Sequence, residues 1–130
     1  MTEHPFPKLI DMVMDDSEPG WSECSVQIGD KHMNTNNVAH GAVLYALADT
    51  GMGSALYPTL DDGQVCATIE IKMSYFKPVF AGRVVCRTQM INRGKTIANL
   101  ESRLFLDDVL VAQANGNYAI FRIRSGSESP

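Results

Sequence analysis

Apolar and polar positions alternate with a period of two through most of the second half of the chain. Residues 65–76 place Ile69, Ile71, Met73 and Tyr75 on one face and Thr68, Glu70, Lys72 and Ser74 on the other. That alternation predicts a strand with one buried face. Residues 83–92, 96–106 and 109–123 read as three more strands, the last slightly irregular at Gly116. A loop bracketed by Pro78 and Gly82 separates the first two of these four strands, and Arg93-Gly94-Lys95 and Asp107-Asp108 supply tight turns between the others. Nearer the N-terminus, Cys24, Val26 and Ile28 alternate with Ser25 and Gln27, a strand over residues 21–29. Before it, Leu9, Ile10, Met12, Val13 and Met14 predict a short helix over residues 6–14, closed by the turn cluster Asp-Asp-Ser-Glu-Pro-Gly at 15–20.

Residues 40–57 break the alternation. Val43, Leu44, Ala46, Leu47, Ala48, Met52, Ala55 and Leu56 leave almost no polar face. A helix that is apolar nearly all round is a buried helix. It also carries Gly51 and Gly53, each costing about 1 kcal/mol against alanine in a helix interior. Close packing against a sheet would account for that cost. The preceding stretch, 31–39, is polar and holds Asn34, Asn36 and Asn37, residues suited to a structured loop and a helix start. One buried helix with a meander-like antiparallel sheet of five strands around it is an α+β architecture.

The 130 residues suit one domain spanning 1–130, with about 1–5 and 125–130 expected to be flexible. A core of this size is modest, so self-association is expected. A net charge of −4 gives no default reason to bind nucleic acid or a membrane surface. Three cysteines, Cys24, Cys66 and Cys86, lie far apart with no Cys-x-x-Cys, which fits reduced thiols in a cytoplasm. Neither a secretory leader nor an apolar run long enough to span a membrane is legible. The chain is therefore expected to be cytoplasmic.

Asp49 is the residue that stands out chemically. It lies in the middle of the apolar helix, where a carboxylate without partners is costly. On its side, at three- and four-residue spacing, come Ala42, Tyr45, Ala46, Met52 and Gly53, mostly small and able to leave room for a ligand. A carboxylate facing a cleft acts as a general base toward water or as a nucleophile. Where the helix begins stand His40 and Gly41. Backbone amides there are unpaired at the positive end of the helix dipole, and a glycine lets a carbonyl approach its N–H. Turn glycine and capping histidine are the plainer readings of the two. Asn34 precedes the helix by one loop and offers an amide that can hold a water. No Gly-x-Ser-x-Gly elbow, phosphate loop or His-Glu-x-x-His is present, and His4, His32 and His40 are too scattered for a metal centre. The phenylalanines and tyrosines read mostly as core or strand residues.

The run Asn34-Thr-Asn-Asn-Val-Ala-His40-Gly41-Ala42, followed by Leu47-Ala48-Asp49-Thr50, resembles the N-x-x-G-x-x-H-G-G…L-x-D signature of the PaaI-like branch of the 4-hydroxybenzoyl-CoA thioesterase superfamily. Thr68 through Tyr75 to Pro78 with Gly82, Arg93-Gly94-Lys95, and 110–116 resemble later motifs of the same family, so the likeness runs in order over about 21–121. It departs at Ala42, where the family has a second glycine, and at Asn37, where it has the glycine of N-x-x-G. The resemblance implies a hotdog fold, a curved antiparallel sheet wrapped around a central helix. It implies hydrolysis of an acyl- or aryl-CoA thioester, with coenzyme A as part of the substrate and no separate cofactor or metal. It further implies homodimers with active sites shared across the interface, commonly paired into tetramers.

Residue by residue, the resemblance makes Asp49 the general base or nucleophile and Gly41 the amide that polarises the thioester carbonyl. Asn34 would orient water or substrate, His40 would support the helix start, and Thr68, contributed by the other subunit, would stand near the attacking water. Ala42, Tyr45 and Met52 would shape the acyl pocket, and Arg93 and Lys95 would meet the coenzyme A phosphates. Two other classes remain open at this point: a hotdog hydratase or dehydratase, and a non-catalytic acyl-CoA binding module.

Overall fold

Asp11 ends the first helix after little more than a turn. Its backbone is left-handed, with φ of 60°, and helix α1 spans only Pro5–Leu9. The expected helix over 6–14 is thus corrected: Met12–Glu18 is a strand, β1. Met12 turns inward and is buried, Val13 is exposed and Met14 is half-buried, which is strand alternation. The residues assigned to a turn at 15–18 lie in this strand, and only Pro19 and Gly20 remain to reverse the chain. Pairing explains the outcome, because β1 hydrogen-bonds along β2 from Met12↔Val26 to Glu18↔Trp21. A short amphipathic run gains more from that ladder than from an isolated helical turn.

The computed structural model describes residues 4–123, so the flexibility expected of residues 1–3 and 125–130 lies outside the described residues. After β2 (Trp21–Ile28) come helix α2 (Gly41–Leu56) and strands β3 (Gln64–Tyr75), β4 (Gly82–Arg93), β5 (Ile97–Leu106) and β6 (Val109–Arg122). The six strands form one antiparallel sheet in the order β1-β2-β4-β5-β6-β3, one strand more than the sequence pattern suggests. Asp107 and Asp108 make the β5–β6 turn with φ of 49° and 66°, the paired positive values of a type I′ hairpin.

Helix α2 lies across one face of this sheet and touches every strand. Its first half buries Val43, Leu44 and Leu47 against Val26, Val84, Leu104 and Val111. Its second half buries Ala48, Met52 and Leu56 against Ala98, Leu100 and Ile120. Each such aliphatic side chain contributes roughly 1.5–3 kcal/mol when removed from water. Gly51 is the point of closest approach. A Cβ there would stand 2.7 Å from Thr88 Oγ1, and its carbonyl accepts a 2.6 Å bond from Ser22 Oγ.

The helix is not apolar all round in its setting. Ala42, Tyr45, Asp49, Thr50, Gly53, Ser54 and Tyr57 stay half-buried or exposed, a narrow stripe at helical spacing. Asp49 sits in the middle of that stripe.

Candidate active site

Strand β3 brings the first partner to Asp49 by an irregularity. Its register with β6 slips between Thr68, opposite Tyr118, and Glu70, opposite Asn117, so Ile69 is the extra residue of a bulge. The bulge changes which face the side chains take. Strict alternation puts Thr68 on the face opposite Ile71, Met73 and Tyr75. In the structure Thr68 reaches Asp49, while Ile71 and Met73 pack into the core beneath the same helix. Ile69 is left about half exposed, at 52%. The face assignment made from period alone is corrected at Thr68 and at Ile69.

Thr68 Oγ1 donates to Asp49 Oδ1 of its own chain at 2.9 Å, so it reaches this carboxylate without the second subunit that the resemblance implied would supply it. Tyr118, from β6, donates its phenol to the same oxygen and lies 2.8 Å from the Asp49 carbonyl. Burial, and then the neighbouring carboxylate, push the Tyr118 phenol well above the ordinary tyrosine range. It is therefore a donor, never a phenolate, at neutral pH. Among the described residues no hydrogen bond goes to Asp49 Oδ2, which leaves that oxygen to solvent or a ligand.

The helix start is a second centre. His40 is its N-cap, and its Nδ1 accepts from the Ala42 N–H at 2.9 Å, so the imidazole satisfies an amide that the helix cannot. The Gly41 N–H takes no partner among the described residues. Its carbonyl accepts from Tyr75 OH at 2.7 Å, and a Cβ on Gly41 would come within 3.1 Å of that ring. Gly41 and Tyr75 border a cleft of about 330 Å³ floored by Leu44 and Val79. Asp49 lines neither this cleft nor the one of about 510 Å³ that its neighbours Thr50 and Gly53 border.

The other expected site residues divide. Ala42 and Tyr45 lie on the exposed stripe beside Asp49 and His40. Asn34 turns back on its own loop, with Oδ1 accepting from Asn36 N at 2.8 Å and Val38 N at 3.3 Å. Asn37 takes φ of 60°, standing in for the glycine of the motif. Met52 is fully buried, its sulfur against Gly116, and is a core residue of this chain instead of a pocket wall. Arg93 is also spent inside the fold. Its guanidinium bonds Thr59, Gln64 and Gly94, tying the end of α2 to the β4–β5 turn. Lys95 is exposed on that turn.

Sequence reasoning missed Tyr118 and Tyr75. Both were grouped with core and strand aromatics, and a buried tyrosine does need a partner for its hydroxyl. Nothing in local spacing says which partner, since Tyr118 and Asp49 are 69 residues apart. No three His, Cys, Asp or Glu side chains cluster as metal ligands among the described residues.

A helix across a six-stranded antiparallel sheet, with a half-exposed aspartate at its middle and a free glycine amide at its start, can be compared with known proteins. Residues 36–113 match the family model of the thioesterase superfamily. The chain belongs to that superfamily. The phenylacetic acid degradation protein PaaI of Thermus thermophilus is 26% identical, covers 89% of this chain and 98% of its own, and superposes with a TM-score of 0.84. Thioesterase HI1161 of Haemophilus influenzae, at 21% identity, shares the fold with a TM-score of 0.85 over 90% of this chain and 82% of its own. The Pseudomonas aeruginosa protein PA0474 is 29% identical over 93 residues, 71% of this chain and 69% of its own. The fold is the hotdog fold expected from the motif, and the chain is a thioester hydrolase. None of its described helices is long and apolar enough to cross a membrane.

Proposed function

We propose that this thioesterase hydrolyses an acyl- or aryl-CoA to the free acid and coenzyme A, with Asp49 as the acting carboxylate. The observation that carries the reading is the carboxylate itself. It is half-exposed in an otherwise apolar helix, anchored by two hydroxyls on one oxygen and open on the other. The open oxygen either takes a proton from a water that attacks the thioester carbon or attacks that carbon itself. In both routes the C–S bond breaks, the thiol leaves with a proton, and water supplies the oxygen of the acid. The Gly41 N–H is the donor aimed at the carbonyl oxygen as it gains charge.

One chain does not hold both groups at one carbonyl. Gly41 and Asp49 are eight residues apart on one helix. At 1.5 Å per residue that is ~12 Å. Donor and base must meet a reacting carbonyl within about 3 Å each. A complete site therefore needs Gly41 from one copy and Asp49 from another, as in a homodimer with shared active sites. The accessible stripe on α2 and the open edge of β3, with Ile69 and Tyr75 about half exposed, are the surfaces such a dimer would cover. Pairing of dimers into tetramers is the arrangement we propose beyond that. The three free cysteines fit a reducing cytoplasm.

In this reading His40 holds the helix start. Asn34 keeps its loop and leaves only its Nδ2 amide for a ligand, while Ala42 and Tyr45 flank the acyl group. Lys95, exposed on its turn where Arg93 is held by the fold, would be the cation to meet a phosphate.

Thiol release from a panel of aryl-, phenylacetyl-, short- and medium-chain CoA thioesters tests the substrate class. Cleavage of at least one, with coenzyme A as a product, is expected; no cleavage of any would remove the acyl-CoA assignment. Mixing subunits tests the shared site. Asp49→Asn and Gly41→Val are each expected to be nearly inactive, and a refolded mixture to recover roughly a quarter of the wild-type rate, because half the dimers then hold one intact site. A mixture as inactive as its parents contradicts a site built from two chains.

A further inference from the structure

We infer that Tyr118 is a positioning residue for Asp49: with Thr68 it holds one carboxylate oxygen and so selects the other, Oδ2, as the atom that acts. The role rests on Asp49 being the acting carboxylate. The family match ends at residue 113, so Tyr118 lies beyond it.

Thr68 and Tyr118 are direct partners across the β3–β6 ladder. They are thus neighbours on a rigid sheet, and both present hydroxyls to the same face. The bulge at Ile69 is what gives Thr68 this side while Ile71 and Met73 keep theirs. Both hydroxyls donate to Oδ1, and the Tyr118 hydroxyl also lies 2.8 Å from the Asp49 main-chain carbonyl. Tyr118 therefore touches Asp49 at backbone and side chain together.

Its ring cannot follow a moving carboxylate. It is 3% exposed and packed in the cluster of Ala48, Met52, Ala98 and Leu100. An aspartate on a helix turns freely about two side-chain bonds unless something stops it. Here the sheet stops it, and the residue facing out of the fold is one oxygen in one orientation.

A core tyrosine that merely satisfies its hydroxyl would have none of these consequences for rate. Tyr118→Phe keeps the ring and removes the donor. In the full chain, with whichever acyl-CoA is cleaved fastest, kcat is expected to fall about tenfold with KM changed by less than about threefold. Thr68→Val, which removes the other donor from the same oxygen, is expected to lower kcat in the same way, again with KM changed by less than about threefold. Thr68→Ser, which keeps the hydroxyl, should recover most of the rate that Thr68→Val loses.

A Tyr118→Phe enzyme with the wild-type kcat overturns the role, and so does one whose KM rises as much as its kcat falls. If Tyr118→Phe does not fold, the Thr68 variants decide alone, and a Thr68→Val enzyme with the wild-type kcat overturns the shared-oxygen arrangement. Asp49→Asn run beside these separates the two readings. Should it keep the wild-type rate, Asp49 is not the acting group. If it is inactive while both hydroxyl variants behave as wild type, only the positioning role fails.

Discussion

Side chains that look alike in the sequence turn out to have opposite settings in the fold. Arg93 and Lys95 flank one glycine, and both were expected at coenzyme A phosphates. Arg93 instead spends its guanidinium on Thr59, Gln64 and Gly94, while Lys95 is exposed. Arg93→Met should therefore lower the unfolding free energy by about 1–3 kcal/mol, as read by chemical denaturation. Lys95→Ala should stay within about 0.5 kcal/mol of wild type in the same assay and raise KM for CoA thioesters. A destabilised Lys95→Ala or an unaffected Arg93→Met would reverse these assignments. Asp49 was legible because a charge in an apolar helix is costly and calls for a reason. His40 was half legible, since its capping role is local and is the plainer of the two readings. Met52 was misplaced, because helical spacing brings it near Asp49 but does not say that Gly116 makes room for its sulfur on the sheet side.

Elements were legible wherever neighbouring residues decide them. The four long strands and α2 follow from period, and Asp107-Asp108 turns as its residue types demand. What failed was decided by distant pairing. The Met12–Glu18 segment carries both short-helix and strand patterns, and only β2 alongside it selects the strand. The bulge at Ile69 is likewise invisible in the alternation of β3, yet it delivers Thr68 to Asp49. The glycines of α2 show the same division. Close packing accounts for Gly51, whose Cβ would meet Thr88, but not for Gly53, which has nothing within 4 Å. Gly51→Ala is expected to cost about 1–3 kcal/mol, by forcing the helix off the sheet or Thr88 out of its 2.6 Å bond with Ser102. A thermal melt equal to or above wild type would show that the contact relaxes without cost.

The molecule as a whole buries groups that resist ionisation at high pH. Burial pushes up the Tyr118 phenol, more than it does Tyr75, and the Cys66 thiol as well. A raised value in the folded state means the unfolded chain loses its proton first. The Cys66 contribution falls as pH rises above the ordinary thiol value of 9.0, while the tyrosine contributions are intact below the ordinary tyrosine value of 10.0 and fall above it. Denaturation midpoints measured from neutral pH upward should decline past that value, and Tyr118→Phe should decline less steeply than wild type. An equal slope would mean that Tyr118 ionises as readily folded as unfolded. At this scale the sequence conveyed the family and the architecture. It did not convey that β3 pairs with β6 at the edge of the sheet instead of running on into β4 as a meander.

The most direct test of the account is thiol release from the best-cleaved acyl-CoA by wild type and by Asp49→Asn at equal folded concentration. Loss of about a thousandfold or more in kcat, with the fold and its melting transition retained, is the predicted result. Cleavage by Asp49→Asn at the wild-type rate would contradict it and move the chemistry away from this carboxylate.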